Sequence, residues 1–539
     1  MNPRRDPVQA AAEENALRLI HLIAGGTPLP AAATPAALGF KAWSLARMAA
    51  LGLPVPPAFV LGTGWCGRAE VGPQLWQGAL QELERFTGLG FGNTRHPLLL
   101  SVRSGAAVSM PGMMETLLNI GLTDATLPGL VRLTGHPRLT WDAYRRLIAG
   151  YGEVVAGIDA QHFEVDLDAV RADSDERELD FSALREVASR HQATYAREAG
   201  EAFPQDAQVQ LREAIAAVFA SWHSDKAHAY RELHGLPHSM GTAVTVQRMV
   251  FGNAGGMSGS GVGFTRNPIS GEPVPWVDFL FNAQGEDVVS GRRSAQGHDE
   301  LAAVAPQVWD SLLRATVQLE RAFGDMQDFE FTVQDGQLYL LQTRGGKRTP
   351  QAAARIALDL CDQGVITQAV ALARTRTLDA QALVLRVVAA EDGKTLAPLA
   401  HAASAASGVV CGEIALDEAR VRERKAAGAT VVLVRRDAET RDIAALDLAD
   451  GLLTQRGART SHAAVVARQL GKVCLVGCES LAINELERVL SIGGLDLREG
   501  DPITLDGNEG VLYAGTTRVE ERIPQELLGR LDRLRSSHG

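Results

Sequence analysis

Apolar residues recur along the chain with two periods, and the switch between them divides it into helices and strands. Ala463, Val466, Ala467 and Leu470 fall at i, i+3, i+4 and i+7, the stripe of a helix with one buried face. The short run Gly451 to Thr454 before it reads as the end of a buried strand, and Val473 to Val476 resume a strand after the stop at Gly471. Thr460 or Ser461 is suited to cap this helix, which puts His462 in its first turn. A period of two governs Asp328 to Val333: Phe329, Phe331 and Val333 alternate with Asp328, Glu330 and Thr332, giving one apolar and one acidic face. Asp335-Gly336 is the turn of a hairpin. An odd number of loop residues pairs even positions with even, so Asp328 and Glu330 are expected to share a face with Gln342 and Arg344.

The same reading gives the remaining elements. Residues 9 to 24 form an amphipathic helix, followed by a connector to Ala37, a helix over Lys41 to Leu53 and a strand over Ala58 to Leu61. Val102 lies in a strand that ends at Arg103. Residues 125 to 235 are helical, with acidic Asp166 to Asp180 as a solvated linker. From Thr242 the pattern turns to strand and loop, and Gly252, Gly255, Gly256, Gly259, Gly261 and Gly263 crowd one loop. Residues 350 to 395 are helical and then extended. A small α/β unit begins near His401, with strands at Gly408 to Leu416, Thr430 to Val434 and Pro502 to Tyr513, and Ile523 to Leu534 form a last amphipathic helix.

Composition narrows the function classes. A chain of 539 residues builds several domains, and 22% charged with 46% hydrophobic residues suits a soluble globular protein. The net charge of −11 argues against a nucleic-acid or anionic-membrane partner. Arg4, Arg5, Asp6, Glu13 and Glu14 speak against a secretory leader in the first residues. No apolar run reaches the roughly 18 residues of a membrane span. The five cysteines (Cys66, Cys361, Cys411, Cys474, Cys478) form no C-x-x-C pair, so reduced thiols and the cytoplasm are expected.

Several of these positions carry candidate chemistry. At a helix start the backbone N–H groups and the helix dipole favour anions over an imidazolium, so a His there stays neutral and nucleophilic, and a phosphate on it meets donors. Arg103, ending a strand, suits bidentate contact with phosphate. Two carboxylates and an amide oxygen on one strand face suit Mg²⁺, and Arg344 beside them suits phosphate. No Walker A loop exists, since Gly393-Lys394-Thr395 has Val388 in place of the leading glycine.

The run T-S-H-A-A-V-V-A-R at Thr460 to Arg468, with R-G upstream and G-K downstream, resembles the phosphohistidine motif of the pyruvate, phosphate dikinases. So do L-G-F-K-A-W-S-L-A-R at Leu38, S-V-R-S-G-A at Ser101, S-M-P-G-M-M at Ser109, N-A-Q-G-E-D at Asn282, and D-M-Q-D-x-E-F with L-Q-T-R-x-G-K-R-T around the hairpin. The resemblance covers about residues 38 to 520. It implies an α/β and α+β multidomain fold: an ATP-grasp nucleotide-binding region over 38–350 with a helical insertion near 125–235, a linker over 351–400, and a swivelling α/β phosphohistidine domain over 401–520. Residues 1–37 then form an N-terminal helix and connector, and 521–539 a C-terminal helix. By the same resemblance His462 carries the phosphoryl group, while Lys41, Arg103, Glu286, Asp328 and Arg344 bind ATP. Glu330 and Gln342 hold Mg²⁺, and Thr460 corresponds to a threonine that is phosphorylated for regulation in some relatives. Family positions have changed at Phe40 (a glycine), Ala107 (an arginine) and Ala254, Gly256 and Met257 (more polar residues).

The family chemistry implied is pyrophosphoryl transfer from Mg·ATP to His462 and then to phosphate, leaving phosphohistidine for pyruvate/phosphoenolpyruvate interconversion. The family's C-terminal pyruvate-binding barrel has no counterpart in these residues, which leads to the expectation of a separately encoded barrel partner and hinges around 385–405 and after 515. The same chemistry on another acceptor, a nucleotide-sensing regulatory protein, and a homodimer stay open.

Overall fold

The structure is a computed structural model describing residues 19–536 apart from 69–70, 109, 111–112, 173, 175, 286–287, 289–295, 390–395, 438–441, 458 and 460–461. The chain divides into two compact units, Met1–Gly255 with Tyr339–Thr343, and Gly256–Leu338 with Arg344–Gly539.

The first unit holds a five-stranded sheet in the order Ile20–Ile23, Ala58–Leu61, Ala243–Arg248, Leu100–Gly105, Thr116–Ile120. All its pairings are antiparallel. The helix expected over 9–24 is corrected here: Ile20–Ile23 is an edge strand paired to Ala58–Leu61, and residues 1–18 lie outside the described part. The run I-H-L-I is too short for periodicity to separate strand from helix, and its strand partner decides. The insertion is helical as expected, led by Pro137–Val154 and Phe181–Ala199. Part of the acidic stretch expected as linker belongs to a helix, Ala160–Arg171, capped by Asp159.

A second five-stranded antiparallel sheet is ordered Gln296–Gly297, Trp276–Phe281, Gly259–Phe264, Gln327–Gln334, Gln337–Gly345, and all of it but Tyr339–Thr343 belongs to the second unit. Three of the glycines assigned to a loop are instead in a fully buried strand. A Cβ at Gly259, Gly261 or Gly263 would come within 2.2, 2.4 or 2.9 Å of the rings of Phe279, Phe331 and Phe329 respectively. The alternating glycines therefore make room for three phenylalanines, and only Gly255 and Gly256, with φ of 75° and 52°, need glycine for a turn. The hairpin turn falls at Asp335-Gly336 as read, both with positive φ.

An eight-stranded mixed sheet follows in the same unit, ordered Ala400–His401, Val511–Ala514, Pro502–Asp506, Val409–Ala415, Val431–Arg435, Gly451–Thr454, Val473–Val476, Ala403–Ala406. Gly451–Thr454 and Val473–Val476 are parallel neighbours, and the helix His462–Gln469 crosses between them. Ala464 and Ala467 of that helix are buried with Leu452, Cys474 and Ala405. A three-stranded meander over 481–498 had no counterpart in the sequence reading. The two segments expected to be hinges meet one another: Leu385–Val388 pairs with Val519–Arg522. The last helix, Gln525–Ser536, buries Leu527 and Leu531 against Ala354, Leu358 and Leu383.

A buried charge cluster ties this unit together. Arg266, only 1% exposed, donates Nε to Glu320 Oε1 at 2.8 Å and Nη1 to Asp359 Oδ2 at 3.0 Å. Arg530 of the last helix reaches Asp359 Oδ1 at 2.8 Å. Removing one partner of a buried pair strands the other charge, so Arg266→Ala is expected to cost about 3–5 kcal/mol. The check is a clear fall in the midpoint of this unit's thermal transition, and an unchanged midpoint would contradict the role given to the cluster. No helix among the described residues is long and apolar enough to cross a membrane, and all five cysteines are free thiols.

Candidate functional site

In the first unit the helix Pro35–Ala50 lies on the strand Leu100–Gly105. Gly39 takes a left-handed backbone (φ 72°), and a Cβ there would stand 1.9 Å from the Gly105 carbonyl oxygen. The next amide, Phe40 N, donates to Ala106 O at 2.9 Å. Gly39 thus supplies the conformation this close approach needs, and Phe40 has no positive φ to accommodate. The contact brings Lys41 to the end of the strand, with its Cβ 3.7 Å from where a Cβ of Gly105 would stand. Arg103 is two positions earlier and shares that face. The structure therefore brings the Lys41 and Arg103 positions together.

In the second unit the hairpin face is arranged as the alternation predicts. Phe329, Phe331 and Val333 are buried, while Asp328 and Glu330 are half-buried. Arg344 Nε donates to Asp328 Oδ2 at 2.8 Å. The turn holds two residues, Asp335 and Gly336, between Gln334 and Gln337, so next to it even positions lie opposite odd ones, and the expected shared face of Glu330 and Gln342 is corrected: Gln342 is buried like Phe329 and Phe331. Burial pushes the Asp328 carboxyl up, Arg344 offsets part of that rise, and Glu330 adds to it. Burial is the largest single influence on the Arg344 guanidinium and acts to lower it, and the charge and hydrogen bond of Asp328 together with the charge of Glu330 outweigh it and raise it. Gln342 is buried on Gln337–Gly345, in the segment that groups with the first unit.

Strand register extends this face to a neighbour that sequence reasoning missed. Val262 pairs with Glu330 on one side and with Asp278 on the other, while Phe264 pairs with Asp328 and Trp276. Directly paired residues point to the same side, so Asp278 and Trp276 share the face of Glu330 and Asp328. Two arginines of the His462 segment lie on it. Arg459 donates Nε to Asp278 Oδ1 at 2.9 Å and Nη2 to Val277 O at 3.2 Å. Its guanidinium stands 4.5 Å from the Trp276 ring centre. Arg468 stands 5.3 Å from Phe264 and 5.7 Å from Trp276, donating to Ala405 O and Arg459 O. Burial pushes the Arg468 guanidinium down, and nearby Cys474, Asp328 and Asp278 act against that. Burial also lifts the Cys474 thiol to about 12, leaving it unreactive. The signal for Asp278 lies in pairing register, which no local window carries.

The helix begins at His462, as expected from the capping residues. Thr460, Ser461 and Glu286 lie outside the described residues. Glu330 suits a hard cation such as Mg²⁺: no described residue hydrogen-bonds or ion-pairs with its carboxylate, whereas Asp328 is held by Arg344. Among the described residues one other group has metal-ligating side chains in proximity, His228, Glu232 and His238 on the exposed surface. There the two imidazoles stack at 4.4 Å, and Arg231 Nε occupies His238 Nδ1 at 3.2 Å.

Comparison with known proteins agrees with this architecture. A family profile described as pyruvate phosphate dikinase, AMP/ATP-binding domain, matches residues 70–309 and 298–364. A second, described as PEP-utilising enzyme, mobile domain, matches residues 428–510. The chain is 42% identical over 500 residues to pyruvate, phosphate dikinase of Clostridium symbiosum, covering 90% of this chain and 57% of that protein. It is 41% identical to the Rhizobium meliloti (strain 1021) protein of that name, over 89% of this chain and 56% of the relative. For the Giardia intestinalis protein the identity is 41%, over 92% and 58%. The chain thus spans a little over half the length of these relatives, and the expected separate barrel partner gains no support from them. With a profile match over more than half of its 539 residues, beside identities of this size, the chain belongs to the pyruvate, phosphate dikinase family.

Proposed function

We propose that the chain is a phosphotransferase that performs the ATP-side chemistry of a dikinase and carries a phosphoryl group on His462. In this reading an imidazole nitrogen of His462 attacks the β-phosphorus of ATP. The bond from that phosphorus to the α–β bridging oxygen breaks, and AMP leaves with the electron pair. An oxygen of inorganic phosphate then attacks the γ-phosphorus, the bond to the β–γ bridging oxygen breaks, and pyrophosphate departs from phospho-His462. Pyruvate, which the relatives' names include, is the proposed final acceptor.

Transfer of this kind relies on positioning and on neutralising charge around the phosphates. Arg344 is suited to a phosphate oxygen, and Lys41 and Arg103 are proposed to hold others, with Glu286 and Asp328 completing the ATP contacts. Glu330 is the proposed Mg²⁺ ligand, and the ion, when bound, neutralises phosphate charge. The domain reading, 38–350 for nucleotide and 401–520 for the phosphocarrier, belongs to the same proposal. Free thiols at all five cysteines support a reducing compartment, the cytoplasm.

The observation that carries this reading is that Arg459 and Arg468, which bracket the His462 helix, lie on the sheet face bearing Asp328 and Glu330. Purified protein given Mg·ATP should form AMP up to an amount set by the protein present, and should release pyrophosphate only when inorganic phosphate is added. Formation of ADP in place of AMP would overturn it.

A further inference from the structure

We infer that Arg459 is a positioning residue, whose seat on Asp278 and Trp276 sets the His462 helix over the Glu330-bearing face for phosphoryl transfer. This rests on the phosphotransfer reading above and adds a residue that the reading did not contain. Four observations converge on it. Arg459 stands three residues before His462, so its anchorage fixes where the helix starts. Its partner is built to receive it: Asp278 is 2% exposed, accepts from Nε at 2.9 Å and forms an ion pair with Nη2 at 2.8 Å. The planar guanidinium also lies over Trp276, an arrangement a lysine ammonium cannot reproduce in full. Finally, Arg468 at the far end of the helix donates Nη2 to the Arg459 carbonyl at 3.0 Å and shares the Trp276 ring, so the segment has two anchors on one indole.

The geometry gives this seat its consequence for the reaction. Asp278 and Glu330 flank Val262 in one cross-strand row, which at normal strand spacing sets them about 10 Å apart. A helix start held at Asp278 is therefore held within reach of whatever phosphate Glu330 helps to orient. A charge pair this buried is favourable only while both partners are present.

The test uses Arg459→Met, Asp278→Asn and the double variant in the full chain. The rate of AMP formation from Mg·ATP should fall about 30-fold or more in each single variant. The double variant should lose no more than either single one, because both remove the same contact. The KM for ATP should stay within about twofold, since the lost step follows binding. Arg459→Lys should recover part of the rate. Without nucleotide, hydrogen exchange in peptides covering 276–281 and 459–470 should rise in Arg459→Met and in Asp278→Asn. A wild-type rate in Arg459→Met, additive losses in the double variant, or unchanged exchange would each overturn the inference. If the unmodified chain forms no AMP, the phosphotransfer reading fails and the positioning role fails with it. The exchange result then reports only whether the docking contact exists.

Discussion

His462→Ala should lose phosphoenzyme formation by at least about a thousandfold, to the level of protein without substrate. The reason is chemical. No other described nucleophile occupies the start of the helix between the parallel strands Gly451–Thr454 and Val473–Val476. The nearby thiol that could substitute, Cys474, is fully buried and held protonated with a pKa of about 12. Intact-mass analysis after incubation with Mg·ATP and phosphate checks the prediction: the parent chain should gain one phosphoryl group and the variant none. That group should be lost in acid and kept in base, as a phosphoramidate requires. Equal mass gain in the variant would remove His462 from the mechanism.

Glu330→Ala should slow the same labelling about 100-fold or more. Glu330 offers a carboxylate with no described bonding partner on a face where Asp328 is already engaged by Arg344. Loss of that oxygen removes a cation ligand without disturbing the apolar side of the strand, where Phe329 and Phe331 are buried. The variant should therefore unfold at the temperature of the parent while requiring more Mg²⁺ for half-maximal rate. An Mg²⁺ titration of labelling rate checks both effects, and a variant with parental rate and Mg²⁺ dependence would rule the ligand role out.

How much of this was legible in the sequence depended on whether the deciding partner was near in the chain. The hairpin was readable because Asp335-Gly336 dictates its own turn and the alternation of Phe329, Glu330 and Phe331 needs no partner. The His462 helix was readable in its extent from Gly471, which has the expected positive φ of 66°, but its buried face was misplaced: Ala464 and Ala467 are buried while Leu470 of the expected stripe is exposed. Gly259, Gly261 and Gly263 misled, because glycine serves both turns and close packing. The rings that require them, Phe279, Phe329 and Phe331, come from other strands. Ile20–Ile23 misled for a related reason, since only its pairing with Ala58–Leu61 makes it a strand. The Asp278–Arg459 contact joins residues 181 apart in sequence. Local periodicity cannot encode such a pair; register and docking create it.

The central claim is that the phosphoryl group retained on the protein comes from the β-position of ATP. Two parallel incubations of the full chain with Mg·ATP and phosphate, one with label in the β-phosphate and one in the γ-phosphate, test it most directly. Attack by His462 at the β-phosphorus requires β-label to remain on the peptide containing His462, and γ-label to leave as pyrophosphate. Retention of γ-label on the protein, with β-label released as ADP, would contradict it.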